Sequence, residues 1–208
     1  MLLQLKNKYS HFQQKTDPYA DFFNGPNINT IHNDELKKFL QTEGGTSFCD
    51  GLYRIHTLGS SYFWTSVIEN CFPKYKNRVH CFSFDWLGRM YAKGLDNKLI
   101  YMFDEATAKA YELKTSLQDF HSVEIMNHPD EILNEDYFTN WLNEYGRTLS
   151  FDECVGFITP LFLGGEDQFN NYEIVDMEVN WETSFQIYNQ IKGLPKNTII
   201  DKVKLKRP

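Results

Sequence analysis

Four groups of residues in this chain have types and spacings that could do chemistry. Gly164-Gly165 follows an apolar run over 154–163, as a phosphate-binding loop follows a strand. A P-loop also needs a Lys for the phosphates and a Ser or Thr for the metal. Here Glu166-Asp167 comes next, and two carboxylates repel phosphate. The double glycine therefore reads as a tight turn that needs positive φ. His80-Cys81 with Cys71 could offer zinc ligands. Neighbours on one strand point to opposite faces, however, and the rest of a tetrahedral set is missing. Cys49 with His56 could act as nucleophile and base, but no orienting third group is indicated, and a small buried cysteine is the simpler reading. The acid pairs Asp130-Glu131, Glu135-Asp136 and Glu166-Asp167 could hold a divalent cation or serve as acid and base. At turns and helix starts such pairs are first-turn charges and solubilising groups. The sequence thus leads us to expect no catalytic residue, no metal and no cofactor.

The elements that must position these residues give an α+β pattern. In the first part, 2–14 reads as a weak helix or arm, and Pro18, Gly25 and Pro26 break the chain into loop. Asn33 caps a helix whose apolar face is Leu36, Phe39 and Leu40, and Gly44-Gly45 ends it. Asp50-Gly51 is a turn, 52–56 alternates like a strand, and Ser60 or Ser61 caps a third helix with Phe63, Val67 and Ile68 inward. Three short β-like runs follow at 79–84, 89–93 and 99–103, a meander of antiparallel strands. Trp86 and Leu87 anchor its first turn, Gly88 lets the chain reverse, and Arg89 is free to pair with an acid.

Residues 116–126 look helical, with Leu117, Phe120, Val123 and Ile125 apolar. Asn134 caps the clearest helix, where Phe138, Trp141, Leu142 and Tyr145 recur at helical spacing and Gly146 closes it. Ser150 to Glu153 fits a capping box for a short helix. The runs 157–163 and 173–176 read as strands, and a last helix carries Trp181, Phe185 and Tyr188. The expected organisation is a helix-rich region over 1–72 packed on an antiparallel sheet domain flanked by helices over 73–195. A basic C-terminal tail over 196–208, expected to be solvated, completes it.

Charge separates the function classes. The chain of 208 residues has a formal net charge of −7. The tail carries four Lys, Arg207 and Asp201, net +4, so the body carries −11. Between Arg147 and Lys192 there is no Lys or Arg, yet eight acids. A second stretch, 124–136, holds five acids and again no Lys or Arg. Such a body repels phosphate backbones, which argues against direct nucleic-acid binding and for a basic partner. No apolar run is long enough to span a bilayer, and the four cysteines show no disulfide framework, so a cytoplasmic protein is expected.

The strings Phe84-Asp85-Trp86-Leu87-Gly88-Arg89, Pro160-Leu161-Phe162-Leu163-Gly164-Gly165-Glu166-Asp167 and Tyr172-Glu173-Ile174-Val175-Asp176 leading to Trp181, with the helix around Trp141, resemble the C-terminal domain of type VI secretion immunity proteins that guard against DNase toxins. Residues 22–56 are similar to the GAD-like region that often precedes it, with Leu36-Lys37-Lys38-Phe39-Leu40 and Asp50-Gly51-Leu52 as matching points. Asn171-Tyr172-Glu173 stands where the family usually has Asn-Leu-Glu, and the tail after Gly193 has no counterpart. The resemblance implies a cytoplasmic antitoxin that blocks one cognate toxin, a DNase or other nuclease, by stoichiometric binding without turnover. Its structural motif positions are Trp86, Gly88, Arg89, Pro160, Gly164, Gly165, Glu173 and Trp181. If carboxylates make the contact, Asp130, Glu131, Glu166 and Asp167 are expected at the surface, because they lie in turn-like sequence. The alternatives are a general intracellular interaction or regulatory module of the same fold, and a metal-dependent hydrolase using Glu166, Asp167 and a histidine.

Overall fold

A computed structural model describes residues 1–14, 16–20, 33–195, 198–200 and 202–205. The loop breakers Gly25 and Pro26, the first residues of the GAD-like resemblance, and Lys196, Asp201, Lys206 and Arg207 of the tail lie outside them.

The fold is α+β and is organised by one seven-stranded antiparallel sheet in sequential order. Its strands are β1 (His11–Gln13), β2 (Thr46–Phe48), β3 (Tyr53–Ile55), β4 (Val79–Asp85), β5 (Met90–Gly94), β6 (Ile100–Asp104) and β7 (Lys109–Leu113). Every residue of β4 and β5 is buried, so these strands are covered on both faces. A bulge between Cys81 and Ser83 shifts the register of β4 against β5. It breaks the period of two and puts Phe84 into the same core as Val79 and Cys81, while Phe82 joins the opposite one.

Helices α1 (Leu3–Lys8) and α2 (Asp34–Glu43) contribute to the Phe82 core. Asn33 caps α2 by accepting from the Leu36 N–H at 3.0 Å, as its type and place require. Helix α3 (Leu58–Cys71) supplies Trp64 and Ile68 to the other core. Its cap is Thr57, which accepts from the Ser60 N–H at 3.1 Å; Ser60 and Ser61 are buried in the first turn, not caps. The expected inward Phe63 and Val67 are only partly buried.

Beyond the sheet come α4 (Leu117–Asp119), a π turn over Phe120–Glu124, α5 (Ile125–Asn127), α6 (Pro129–Leu133) and α7 (Glu135–Tyr145). Val123, expected on the apolar face, is exposed, because the π turn rotates it outward while Phe120 and Ile125 stay buried. Asn134 has positive φ and makes no cap bond; Asp130 Oδ1 accepts from the Asp136 N–H at 2.8 Å instead. Strands β8 (Glu153–Phe157) and β9 (Tyr172–Asp176) form a separate two-stranded sheet, and α8 (Met177–Ile191) closes the fold.

Further sequence expectations change here. Ser150 to Glu153 makes a turn rather than a helix: Ser150 N–H donates to Glu153 Oε2 at 3.0 Å, and the chain passes straight into β8. The run 157–163 is not a buried strand. It leaves β8 at Phe157, and Leu161–Leu163 forms a 3₁₀ turn after Pro160, which has no N–H to give a ladder. Strand β7 had no strong pattern, since as an edge strand it is largely exposed. The 2–14 arm resolves into α1 and β1.

Strand β3 pairs with β4 across the expected 72/73 division, so the sheet is continuous there. Residues from Leu2 to Tyr172 share one core. Unfolding followed by backbone circular dichroism and by tryptophan fluorescence should therefore give one coincident transition. Ile55→Ala should move both by the same amount, about 2–5 kcal/mol. Two separated transitions would show that the N-terminal segment folds by itself.

Candidate functional site

The β4–β5 turn is the geometric centre of the candidate site. Asp85, fully buried, accepts from the Leu87 and Arg89 amides at 3.1 Å each, from Arg89 Nε at 2.6 Å and from the Tyr91 hydroxyl at 3.0 Å. Burial raises the Asp85 carboxyl, and the Arg89 guanidinium opposes that rise. Burial likewise opposes the Arg89 charge, but Asp85 more than compensates and holds it above its ordinary value. Gly88 has φ 77°, and a Cβ there would meet Cys154 Sγ at 3.0 Å, so this turn needs glycine on both counts.

From that turn, side chains reach out to the acidic segments. Arg89 donates to Ile132 O at 2.8 Å, the single Tyr91 hydroxyl proton is shared between Asp85 Oδ2 and Ile132 O, 2.8 Å away, and Trp86 Nε1 donates to Leu133 O at 2.8 Å. These bonds hold α6, and with it Asp130 and Glu131. Val155 N–H donates to Trp86 O at 2.8 Å, and Trp181 Nε1 donates to Gly88 O at 2.9 Å. These fix β8 and α8. Arg54, fully buried, donates to the carbonyls of Ser150 and Glu153 at 2.6 Å and of Asp85 at 3.2 Å. Burial pulls Arg54 down to about 10.

Loop 158–171 is closed by Asn171. Its side chain accepts from the Thr159 N–H at 2.8 Å and donates to Thr159 O and Glu166 O at 2.9 Å. A Cβ on Gly165 would sit 1.8 Å from Thr159 O, so the second glycine is demanded by close approach; Gly164 has φ 89°, the positive φ expected of the turn.

The four sequence-predicted contact residues, Asp130, Glu131, Glu166 and Asp167, are all exposed. The structure joins their two segments. Tyr137, next to Asp136, donates from its hydroxyl to Asp167 O at 3.2 Å, and its ring lies 4.8 Å from that of Phe169. Asp167 also accepts from the Tyr172 hydroxyl, and burial together with that carboxylate raises the Tyr172 phenol. Asp130 and Asp167 are thus partly engaged in holding the fold. Glu131 lies 3.7 Å from His128, and the Glu166 carboxylate has no bond among the described residues.

A second acid cluster escaped the sequence reading. Asp152, Asp176, Glu178 and Glu182 gather at the start of α8. Burial and then Asp176 and Glu182 raise Glu178, and Glu178, Asp176 and Asp152 add to the burial that raises Tyr19. Periodicity could have found it, since 178 and 182 share a helix face, but Asp152 and Asp176 meet only through the β8–β9 register. Among the described residues no ion pair neutralises Asp130, Glu166, Asp167, Glu173, Asp176, Glu178 or Glu182.

The other chemical candidates are placed elsewhere. His56 is fully buried, bonded through Nδ1 to Ser60 Oγ at 3.1 Å and pushed well down by burial, while burial raises the Cys49 thiol. His80 is pushed down to about 4 and packs edge-on against Tyr62. Among the described residues no three His, Cys, Asp or Glu side chains converge as a metal site. Among the described residues no histidine is bonded to Glu166 or Asp167. No helix among the described residues is long and apolar enough to cross a membrane.

Glu105, in the β6–β7 turn, was missed entirely. It is fully buried, accepts from Asn180 Nδ2 at 2.9 Å through Oε1, and leaves Oε2 unpartnered. Burial, then Asp104, pushes it up to about 8.

No family model matches this chain, and no curated protein matches it. Among solved structures it is similar to Atu4351 from Agrobacterium tumefaciens, with a TM-score of 0.59 and 13% identity over 89% of each chain. At that identity the likeness is one of fold.

Two measurements test this construction. Asp85→Ala should lower stability in urea by about 3–5 kcal/mol, because it strands a buried guanidinium. Glu131→Ala should change stability by no more than about 0.5 kcal/mol. Glu105 carries a folded-state pKa above that of the unfolded chain. Its protonated form therefore contributes stability that is complete below the unfolded value and lost as pH rises through about 8. Glu105→Gln should flatten that decline, so the variant gains on the native protein as pH rises. Parallel pH profiles would show that Glu105 is already charged in the fold.

Proposed function

We propose that this chain is a cytoplasmic immunity protein that binds a cognate secreted nuclease toxin one to one and blocks its substrate cleft. The observation that carries the reading is the acidic surface over 130–182, where Asp130, Glu166, Asp167, Glu173, Asp176, Glu178 and Glu182 have no ion pair among the described residues. A nuclease needs a basic cleft for its phosphate backbone, and an acidic protein can occupy that cleft as a decoy. Complementary fields raise association rates by about 10–10³ and lose that gain as salt rises. Fast capture suits an antitoxin, since free toxin does harm before it is bound.

The motif resemblance to type VI secretion immunity proteins supports the same reading, including its nuclease target. The rigid display of the acids supports a pre-formed binding surface rather than one that folds on contact. The buried cysteines and histidines give no support to an enzymatic alternative, because their burial opposes the charged forms that nucleophiles and acid–base groups use.

The test is inhibition of the toxin encoded by the adjacent gene. Its nuclease activity should fall to background at one equivalent of this protein. Glu131→Lys, Glu166→Lys, Glu173→Lys and Glu178→Lys together should slow association at low salt by about tenfold or more and flatten its salt dependence. None of these four side chains is bonded to another element, so the fold should survive. Full nuclease activity in the presence of excess protein would refute the proposal.

A further inference from the structure

The pairing of β8 with β9 fixes where each main-chain group of β9 points. Met177 N–H donates to Asp152 O at 2.9 Å, and Ile158 N–H donates to Asn171 O at 2.9 Å. Both belong to the register that pairs Gly156 with Glu173 and Cys154 with Val175. Antiparallel ladders alternate bonded and non-bonded pairs. Val155 and Ile174 are therefore a non-bonded pair, and their main-chain groups point away from the partner strand. On the β8 side that edge is covered: Val155 N–H reaches Trp86 O, and Arg54 reaches Glu153 O. On the β9 side nothing among the described residues bonds the Ile174 N–H or C=O.

An open edge is a template for another strand, and natural proteins guard such edges with short length, Lys or Pro. The large sheet follows that rule. Its end strand β1 has three residues, and its other end strand, β7, begins with Lys109. Strand β9 has five residues and no Lys, Arg or Pro. The exposed side chains on and beyond it are Glu173, Asp176 and Glu178, none of them ion-paired among the described residues. Val179, 55% exposed, adds an apolar contact beside them.

We propose that the partner docks here by strand addition. An extended segment of the partner protein carrying Lys or Arg would lie along the outer edge of β9, its main chain bonding Ile174 and its cations meeting Glu173, Asp176 and Glu178. Main-chain bonds give such a contact its affinity, and the alternating side chains give it specificity. This inference rests on the reading of the partner as a cationic toxin and states where and how it binds. Of the chain's own basic tail, Lys204 is engaged elsewhere through its main chain. Lys204 N–H donates to Gln190 Oε1 at 3.0 Å, and Gln190 Nε2 donates to Lys204 O at 2.9 Å.

Amide hydrogen exchange on the full chain, alone and with the toxin encoded by the adjacent gene, tests it. In the free protein the Ile174 amide should exchange fast and the Val175 amide slowly. In the complex the Ile174 amide should slow by about tenfold or more. Ile174→Pro removes an outward N–H, which an edge strand tolerates, along with part of a side chain that packs on the core, and should weaken binding by about tenfold, whereas Ile174→Val should not. If Ile174→Pro fails to fold, exchange in the native chain still decides. A complex that forms and inhibits with Ile174 exchange unchanged overturns strand addition and leaves the antitoxin reading standing. No complex and full toxin activity overturn both. An Ile174 amide already protected in a free dimer would assign the edge to a second copy of this chain and overturn the assignment to a partner.

Discussion

A carboxylate removed from water has to be met by donors, and in this protein that requirement falls on Asp85. Four donors answer it: two amides of its own turn, the Arg89 guanidinium and the Tyr91 hydroxyl. Meeting it fixes the hairpin. The second donor of Arg89, with the Trp86 indole, is then spent on the carbonyls of Ile132 and Leu133, and the single Tyr91 hydroxyl proton lies between Asp85 and Ile132 O. The asymmetry of buried ion pairs makes this a matter of uniqueness more than of net stability. A complete pair can be roughly neutral against an apolar replacement, whereas a broken one is costly. Alternative placements of residues 129–134 would leave donors or carbonyls orphaned, so the arrangement selects one geometry.

That selection matters because the acids themselves cannot hold their own positions. Like charges repel, and Asp176 and Glu182 add to the burial that raises the Glu178 carboxyl. The scaffold beneath therefore has to impose the proximity. It does so through neutral groups: Tyr137 to Asp167 O, Asn171 to Thr159 and Glu166, and Trp181 to Gly88 O. Binding surfaces carried on loops over a rigid frame follow this logic generally. Here the frame is a hairpin, and what it carries are the helices, strands and loop of the two base-free segments.

How much of this was legible in the sequence varied with the range of the interaction. The α2 cap at Asn33, the three central strands, and the roles of Trp86, Gly88 and Arg89 were readable, because each depends on neighbours within a few residues. The strand run assigned to 157–163 failed because apolar composition does not record what a proline does to a ladder. The Asn134 cap failed because Asp130, four residues earlier, competes for the same helix start. Of the candidate site, exposure of Asp130, Glu131, Glu166 and Asp167 was expected from turn-like sequence; Asp130 and Glu131 lie instead in the first turn of α6, where they are exposed as well. Their adjacency was not expected, since it passes through Tyr137 and Phe169, residues that read only as helix and loop. Glu105 left no trace, as nothing local distinguishes a turn acid that is buried from one that is solvated.

The contrast between Glu105 and Glu166 bears on what net charge means for this protein. Asp85 and Arg89 cancel each other inside, and Glu105 is held largely neutral near pH 7 by burial. Two of the cations do little for the outside field. Arg54 is spent on carbonyls and lies 4.4 Å from the Phe84 ring, and Lys93 is buried against Glu35. Interior charges are thus consumed in building the core. The field a partner meets is set by exposed carboxylates, which the structure concentrates between Asp130 and Glu182. A formal charge of −7 spread evenly would orient nothing. The same charge sorted by burial, with these carboxylates left largely unpaired, gives an uneven field, and a cationic partner such as the one proposed would be steered by it.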